Sequence, residues 1–186
     1  MISKCISGGQ TGVNRGGLDA AIHCDLPHGG WCPKGRKAED GSIPMDYNLM
    51  EMASTEYLAR TKANVVDSDA TVIFTYGPMT GGSLKTATYA HHLEKPYHDV
   101  DLKTTPRKKA VEEIVRWLGG DKELSDHDEY LASPPSECIL NVAGSRESHA
   151  PGIQVGVFQL MVDVLIQVNP ACQKFYRLGE STKLNT

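Results

Sequence analysis

The stretch CISGGQTGVNRGG fills residues 5 to 17. Ser7, Gly9 and Gly12 stand there at the spacing of G-x-G-x-x-G, with serine in place of the first glycine. Glycine lets backbone amides approach an anion closely, and a helix that follows adds the partial positive charge of its N-terminus. Gly8, Gln10, Thr11, Asn14 and Arg15 supply further donors. Three readings compete: a phosphate cradle, a dinucleotide fingerprint and a plain surface turn. A dinucleotide site needs an acidic residue at the end of the second strand to hold a ribose hydroxyl. That strand, near residues 28 to 32, runs instead into Cys32-Pro33-Lys34-Gly35-Arg36. Basic residues there disfavour NAD and favour a phosphate or another anion.

A second glycine loop runs from Gly77 to Thr86. Gly77 and Gly82 meet the P-loop glycine spacing, but Ser83-Leu84 occupies the place of the Lys-Ser/Thr pair, so triphosphate hydrolysis is not expected. What remains is Gly81-Gly82 after a buried strand, with Ser83 expected as a helix cap facing a phosphate or carboxylate. The plain alternative is a tight turn with a simple cap. A third loop spans Gly144 to Gly152, where Arg146 can offer a planar fork of donors and Ser145 and Ser148 add hydroxyls. Singly, each loop could be an ordinary connection; three at one sheet edge point to one anion site.

The elements that must position these loops alternate. Strands are expected at 2–7, 71–76, 97–101 and 138–143, with helices at 14–24, 83–92, 106–118 and 153–168. Strand, loop and helix in repeated order imply an α/β fold, Rossmann-like and doubly wound, with a mainly parallel sheet and helices on both faces. Ligands of such sheets sit beyond the carboxyl ends of the strands. The last helix is apolar nearly all round and should be buried in the domain or in a subunit contact, so a homo-oligomer is expected. Residues 1–170 are expected to form a single Rossmann-like ligand-binding domain, with an acidic, proline-bearing excursion at 120–136 and a polar C-terminal tail at 171–186.

Composition narrows the function classes. The chain has 186 residues, 40% hydrophobic and 23% charged, and a net charge of −4 that gives no global attraction for nucleic acid. An anion site must then be built locally. Five cysteines form no CxxC pair, which argues against a disulfide framework or a closed zinc site and suits a cytoplasmic protein. No run approaches the ~18 apolar residues of a membrane span.

Three long motifs, taken in order, carry a family resemblance. They are Gly8-Gly-Gln-Thr-Gly-Val-Asn-Arg15, His28-Gly-Gly-Trp-Cys-Pro-Lys-Gly-Arg36 with Ala38-Glu-Asp-Gly41, and Leu140-Asn-Val-Ala-Gly-Ser-Arg-Glu-Ser148. Over roughly residues 2–168 the chain resembles the molybdenum-cofactor carrier proteins. These belong to a wider Rossmann-like group that includes lysine-decarboxylase-like phosphoribohydrolases and a DNA-processing protein. Asn14 stands where the family commonly has aspartate, and Ser145 where it commonly has proline.

The resemblance implies a carrier that binds and protects molybdenum cofactor, a molybdopterin phosphate, with molybdoenzymes as recipients. Such a small anionic ligand wants amide-lined loops and positive charge, which Arg15, Lys34, Arg36, Lys85 and Arg146 would supply, and an aromatic wall, for which Trp31 is a candidate. Trp31 could equally be a core residue. Cys32, flanked by basic side chains, could have a lowered pKa and act as a soft metal ligand, although buried thiols mostly behave as small hydrophobes. The alternative is a nucleotide or nucleotide-sugar binding protein, or a phosphoribohydrolase-like N-glycosidic hydrolase. That group uses Pro-Gly-Gly-x-Gly-Thr-x-x-Glu, and Gly81-Gly82-Ser-Leu-Lys-Thr-Ala-Thr has no glutamate at the corresponding place. Glu39, Asp40, Asp67 and Asp69 remain as carboxylates for acid/base work.

Overall fold

The computed structural model describes residues 1–119 and 134–172. Most of the acidic excursion (120–133) and the tail from 173 lie outside the described residues.

The strands and helices follow one another as β1 (Ile2–Ile6), α1 (Val13–His23), β2 (His28–Gly29), β3 (Trp31–Cys32), β4 (Lys37–Ala38), β5 (Gly41–Ser42) and β6 (Met50–Glu51). After them come α2 (Tyr57–Val66), β7 (Ala70–Thr75), α3 (Gly81–His92), β8 (Tyr97–Asp101), α4 (Arg107–Leu118), β9 (Cys138–Gly144) and α5 (Ile153–Val168). The main sheet has the order β2-β1-β9-β7-β8, and every pairing in it is parallel. The α/β, Rossmann-like expectation therefore holds. All six residues of β7 are buried, as a central parallel strand covered on both faces requires. β8 reads Tyr-His-Asp-Val-Asp and lies at an edge, where polar residues are tolerated.

On one face α5 packs against α1 and α4; on the other α2 packs against α3. Two of the glycines in the opening stretch serve this packing. A Cβ on Gly17 would lie 2.6 Å from Val142 of β9, and one on Gly16 would lie 2.6 Å from the Gln154 carbonyl of α5. Part of the bare backbone therefore lets α1 sit close to sheet and helix. α5 is buried through Ile153, Val157, Leu160, Met161, Val164 and Leu165, while Val155 is exposed. One face is thus buried in the domain, and the face that carries Val155 is open in the single chain.

The expected second strand is split. β2 joins the main sheet, whereas β3 pairs with β6 in a separate ribbon. Residues 30–52 enclose a small second core of Leu18, Cys32, Ile43 and Leu49. Arg36 holds this excursion together: its guanidinium donates to the carbonyls of Ile43, Pro44, Tyr47 and Leu49 at 2.7–3.2 Å.

Candidate functional site

The carboxyl ends of β1, β7 and β9 open into one cleft of about 370 Å³. Gly8, Gln10 and Asn14 come to it from the first loop. The second loop gives Gly81, Gly82 and Ser83, and the third gives Gly144, Ser145 and Arg146. The convergence expected of the three loops is therefore present. α2 closes one side with Tyr57, Arg60 and Asn64.

Helix α3 directs its N-terminus at this cleft. Its N-cap is Thr80, and Gly81 opens the helix with φ +53°. Ser83 is thus not the cap expected of it; it sits buried in the first turn. Thr80 makes no side-chain capping bond, and the first amides of α3 stand at the cleft wall. The Arg146 guanidinium lies 5.2 Å above the centre of the Tyr57 ring, a cation–π contact that fixes it at the mouth.

Arg60 comes from a helix that the periodicity of the sequence does not announce. A Cβ on Gly8 would lie 1.3 Å from Arg60 Nη1, so Gly8 is the gap through which the guanidinium passes. With its amide oriented to face its donors, Asn14 Oδ1 accepts from Arg60 Nη1 at 3.0 Å and from Gly8 N at 3.2 Å. Burial, reinforced by the charge of Arg146, pushes the Arg60 guanidinium down to about 10. Gln10 is fixed by its oxygen, which accepts from Thr11 N and Glu39 N, both at 3.0 Å.

Several expected site residues lie elsewhere. Arg15 gives both terminal nitrogens to Asp40, at 2.6 and 2.8 Å, and its Nε to Gly9 O. Arg36 is consumed by the four carbonyls described above. Trp31 donates Nε1 to Asp67 at 2.6 Å, while its backbone pairs with Asn64, and it does not line the cleft. Lys34 and Gly35 lie on the exposed ribbon edge, where Gly35 N donates to Glu51. Gly9 faces Leu49 and Ile43 of the second core, and Gly12 packs against the backbone of the third loop. Thr11 and Ser148 both donate to Glu39 and clamp the first and third loops together. Cys32 is buried, and its thiol is raised by desolvation against the opposing charges of Arg36 and Arg60. The lowered pKa that its basic neighbours suggested is not found.

The carboxylates considered for acid/base work are also engaged. Asp67 receives Trp31 Nε1, Asp69 accepts from Ile139 N at 2.7 Å, and Glu39 and Asp40 are held as above. Among the described residues no aspartate or glutamate lines the cleft. Among the described residues no cluster of His, Cys, Asp or Glu could hold a metal ion, and no helix is long and apolar enough to cross a membrane.

A parallel sheet with glycine-bearing loops meeting at its carboxyl edge is the architecture of a Rossmann-like, nucleotide-binding type of fold. The chain belongs to the circularly permutated YpsA SLOG family, whose model matches residues 5–165. It is similar to a crystal structure of a provisionally named molybdenum carrier protein from Syntrophus aciditrophicus. That similarity has 36% identity and a TM-score of 0.71, and it covers 90% of this chain and 95% of the other. No curated protein matches the chain.

Proposed function

We propose that this protein is a carrier that binds and shields molybdenum cofactor, taking the cofactor's phosphate and pterin into the cleft of α2, α3 and the three loops. The observation that carries this reading is the lining: two arginines, amide and hydroxyl side chains and glycine backbone, with no carboxylate among the described residues. The donor set fits the group. Arg60 and Gln10 each keep a buried nitrogen without a partner among the described residues, which suits a phosphate, and Tyr57 with Arg146 offers a flat wall at the mouth for a pterin face. The solved relative named a molybdenum carrier protein supports the same reading.

The lining counts against the hydrolase alternative. Cleaving an N-glycosidic bond needs a group placed to protonate the departing base or to activate water. Among the described residues His149 is the one imidazole of the lining, and it is exposed.

Anaerobic incubation with molybdenum cofactor tests the proposal. Expected are stoichiometric retention through gel filtration, slower loss of cofactor activity than in buffer, and delivery to an apo-molybdoenzyme. Nucleoside monophosphates should give no free base over hours at micromolar protein. Multiple-turnover release of base would move the protein to the hydrolase class. The mass measured in the same gel filtration decides the expected homo-oligomer.

A further inference from the structure

Arg60 is only 8% exposed, yet among the described residues no carboxylate bears on it. The groups that do are a second cation, Arg146, and the side chains of Tyr57 and Cys32. Its Nε has no hydrogen-bond partner among the described residues, and Nη1 is held by a neutral amide. Beside it, Gln10 is 3% exposed and its Nε2 is likewise buried without a partner. Gln10 cannot turn its oxygen inward, because that oxygen is already taken by two backbone amides. Both side chains line the same cleft.

An unpartnered buried donor costs free energy, and an unpaired buried charge costs more. A fold keeps such groups where something from outside completes them. The complement must be all acceptor, since guanidinium nitrogens and an amide nitrogen only donate. It must also carry more than one negative charge if it is to neutralise Arg60 and Arg146 together. A carboxylate offers two oxygens in one plane and a single charge. A tetrahedral dianion offers oxygens in every direction and a charge of two.

We propose that the cleft floor at Arg60 and Gln10, held open by Gly8 and aligned by Asn14, is a seat for a tetrahedral dianion. The dianion is either the phosphate monoester end of a larger ligand or a free oxyanion such as phosphate or molybdate. The seat rests on the carrier reading in placing the ligand in this cleft. It adds which end of the ligand enters first. Arg60 at the floor takes the oxyanion, and Arg146 over Tyr57 is left to hold the remainder at the mouth.

Titration calorimetry of the full chain tests this with inorganic phosphate, molybdate, guanosine 5′-monophosphate and guanosine, with Tm of the ligand-free protein read in parallel. Wild type should bind phosphate saturably and guanosine not at all. Arg60→Met keeps the stem and removes the charge, so phosphate affinity should fall about 10- to 100-fold, the reach of one or two charge-assisted hydrogen bonds. Its Tm should hold or rise, because the variant loses an unpaired buried cation. Arg60→Lys, which keeps the charge but not the fork, should weaken phosphate by less and guards against a folding failure. Gly8→Ala should lose affinity like Arg60→Met, since its Cβ takes the place of Nη1.

A purely structural Arg60 would give the reverse pattern, with Tm lowered in Arg60→Met and phosphate affinity unchanged, and that overturns the seat. No binding of phosphate or molybdate at millimolar concentration also overturns it; cofactor retention in the same preparation would then leave the carrier reading standing. Free oxyanions bound as tightly as the monophosphate, with no cofactor retained, would support the seat and remove the carrier reading. A monophosphate bound more tightly than phosphate assigns the seat to a monoester end.

Discussion

Four arginines surround the glycine loops, and their surroundings give them different work. Arg15 is neutralised by Asp40, Arg36 is absorbed by backbone carbonyls, and only Arg60 and Arg146 present charge to the cleft. Arg36→Ala should therefore act on stability, leaving buried carbonyls at Ile43 and Leu49 without donors. A loss of about 2–4 kcal/mol is expected in denaturant unfolding, with ligand affinity changed only through partial unfolding. Arg146→Ala should do the opposite, weakening anion binding by ~1–2 kcal/mol while Tm stays within a degree or two. Both residues sit in basic motifs, and sequence alone gives them the same role; the partners that separate them are distant in sequence.

Charge at the loop clamp sets an acid limit. Hydrogen bonds from Arg15 hold the Asp40 carboxyl below its ordinary 3.8. For Glu39, burial pushes upward, but hydrogen bonds from Ser148 and Thr11 with the charge of Arg146 outweigh it and leave the group below 4.5. Carboxyls lowered by folding stabilise the native state above their unfolded values, and that stability is lost as pH falls through the folded ones. Both side chains are largely exposed, so the effect is small. Tm should decline as pH drops below about 4.5, and Glu39→Gln combined with Asp40→Asn should flatten that decline. An unchanged slope would remove the clamp from the acid response.

At the scale of elements, α2 and α3 form the site, and they differ in how well the sequence announces them. α3 is legible because a buried apolar strand and Gly81-Gly82 precede it. α2 buries Arg60, Asn64 and Val65, so its inward face is polar and apolar periodicity has nothing to register. Arg60 and Tyr57 were missed for that reason. The signal that could have found them is an arginine and an asparagine one turn apart on a stretch with few inward hydrophobes. The main strands were readable from β-branched runs, whereas the two-residue strands of 28–51 depend on Arg36 reaching backbone far along the chain. Gly82 offers a test of α3 as a wall of the site. A Cβ there meets nothing within 4 Å. Gly82→Ala should stabilise the helix by about 0.5–1 kcal/mol and yet weaken phosphate binding by narrowing access to the first amides. A variant that gains stability and keeps full affinity would show that the α3 terminus is not used.

Across the whole molecule, the strand order places β9, which comes last in sequence, at the centre between β1 and β7. The first and third loops are therefore neighbours although more than a hundred residues separate them, and Val13 N donates to Ser145 O at 3.1 Å across the join. No local segment can build the cleft; it forms only when β9 enters the sheet. Binding of phosphate and protection of β9 amides from exchange should be lost together in denaturant, rather than in separate steps. Binding lost well before β9 protection would show that the loops melt on their own.

Asn169, just past α5, accepts from Ile2 N at 3.0 Å and donates to Ile2 O at 2.6 Å. One side chain thus does for the first strand what a neighbouring strand's backbone would do, and it brings residues 2 and 169 side by side. The two ends of the core are accordingly close enough to be joined. A gene in which a short linker joins 172 to 2, so that the buried Cys172 is kept, reopened at the exposed turn of Lys103 and Thr104, should encode the same sheet order and the same cleft from a rearranged reading order.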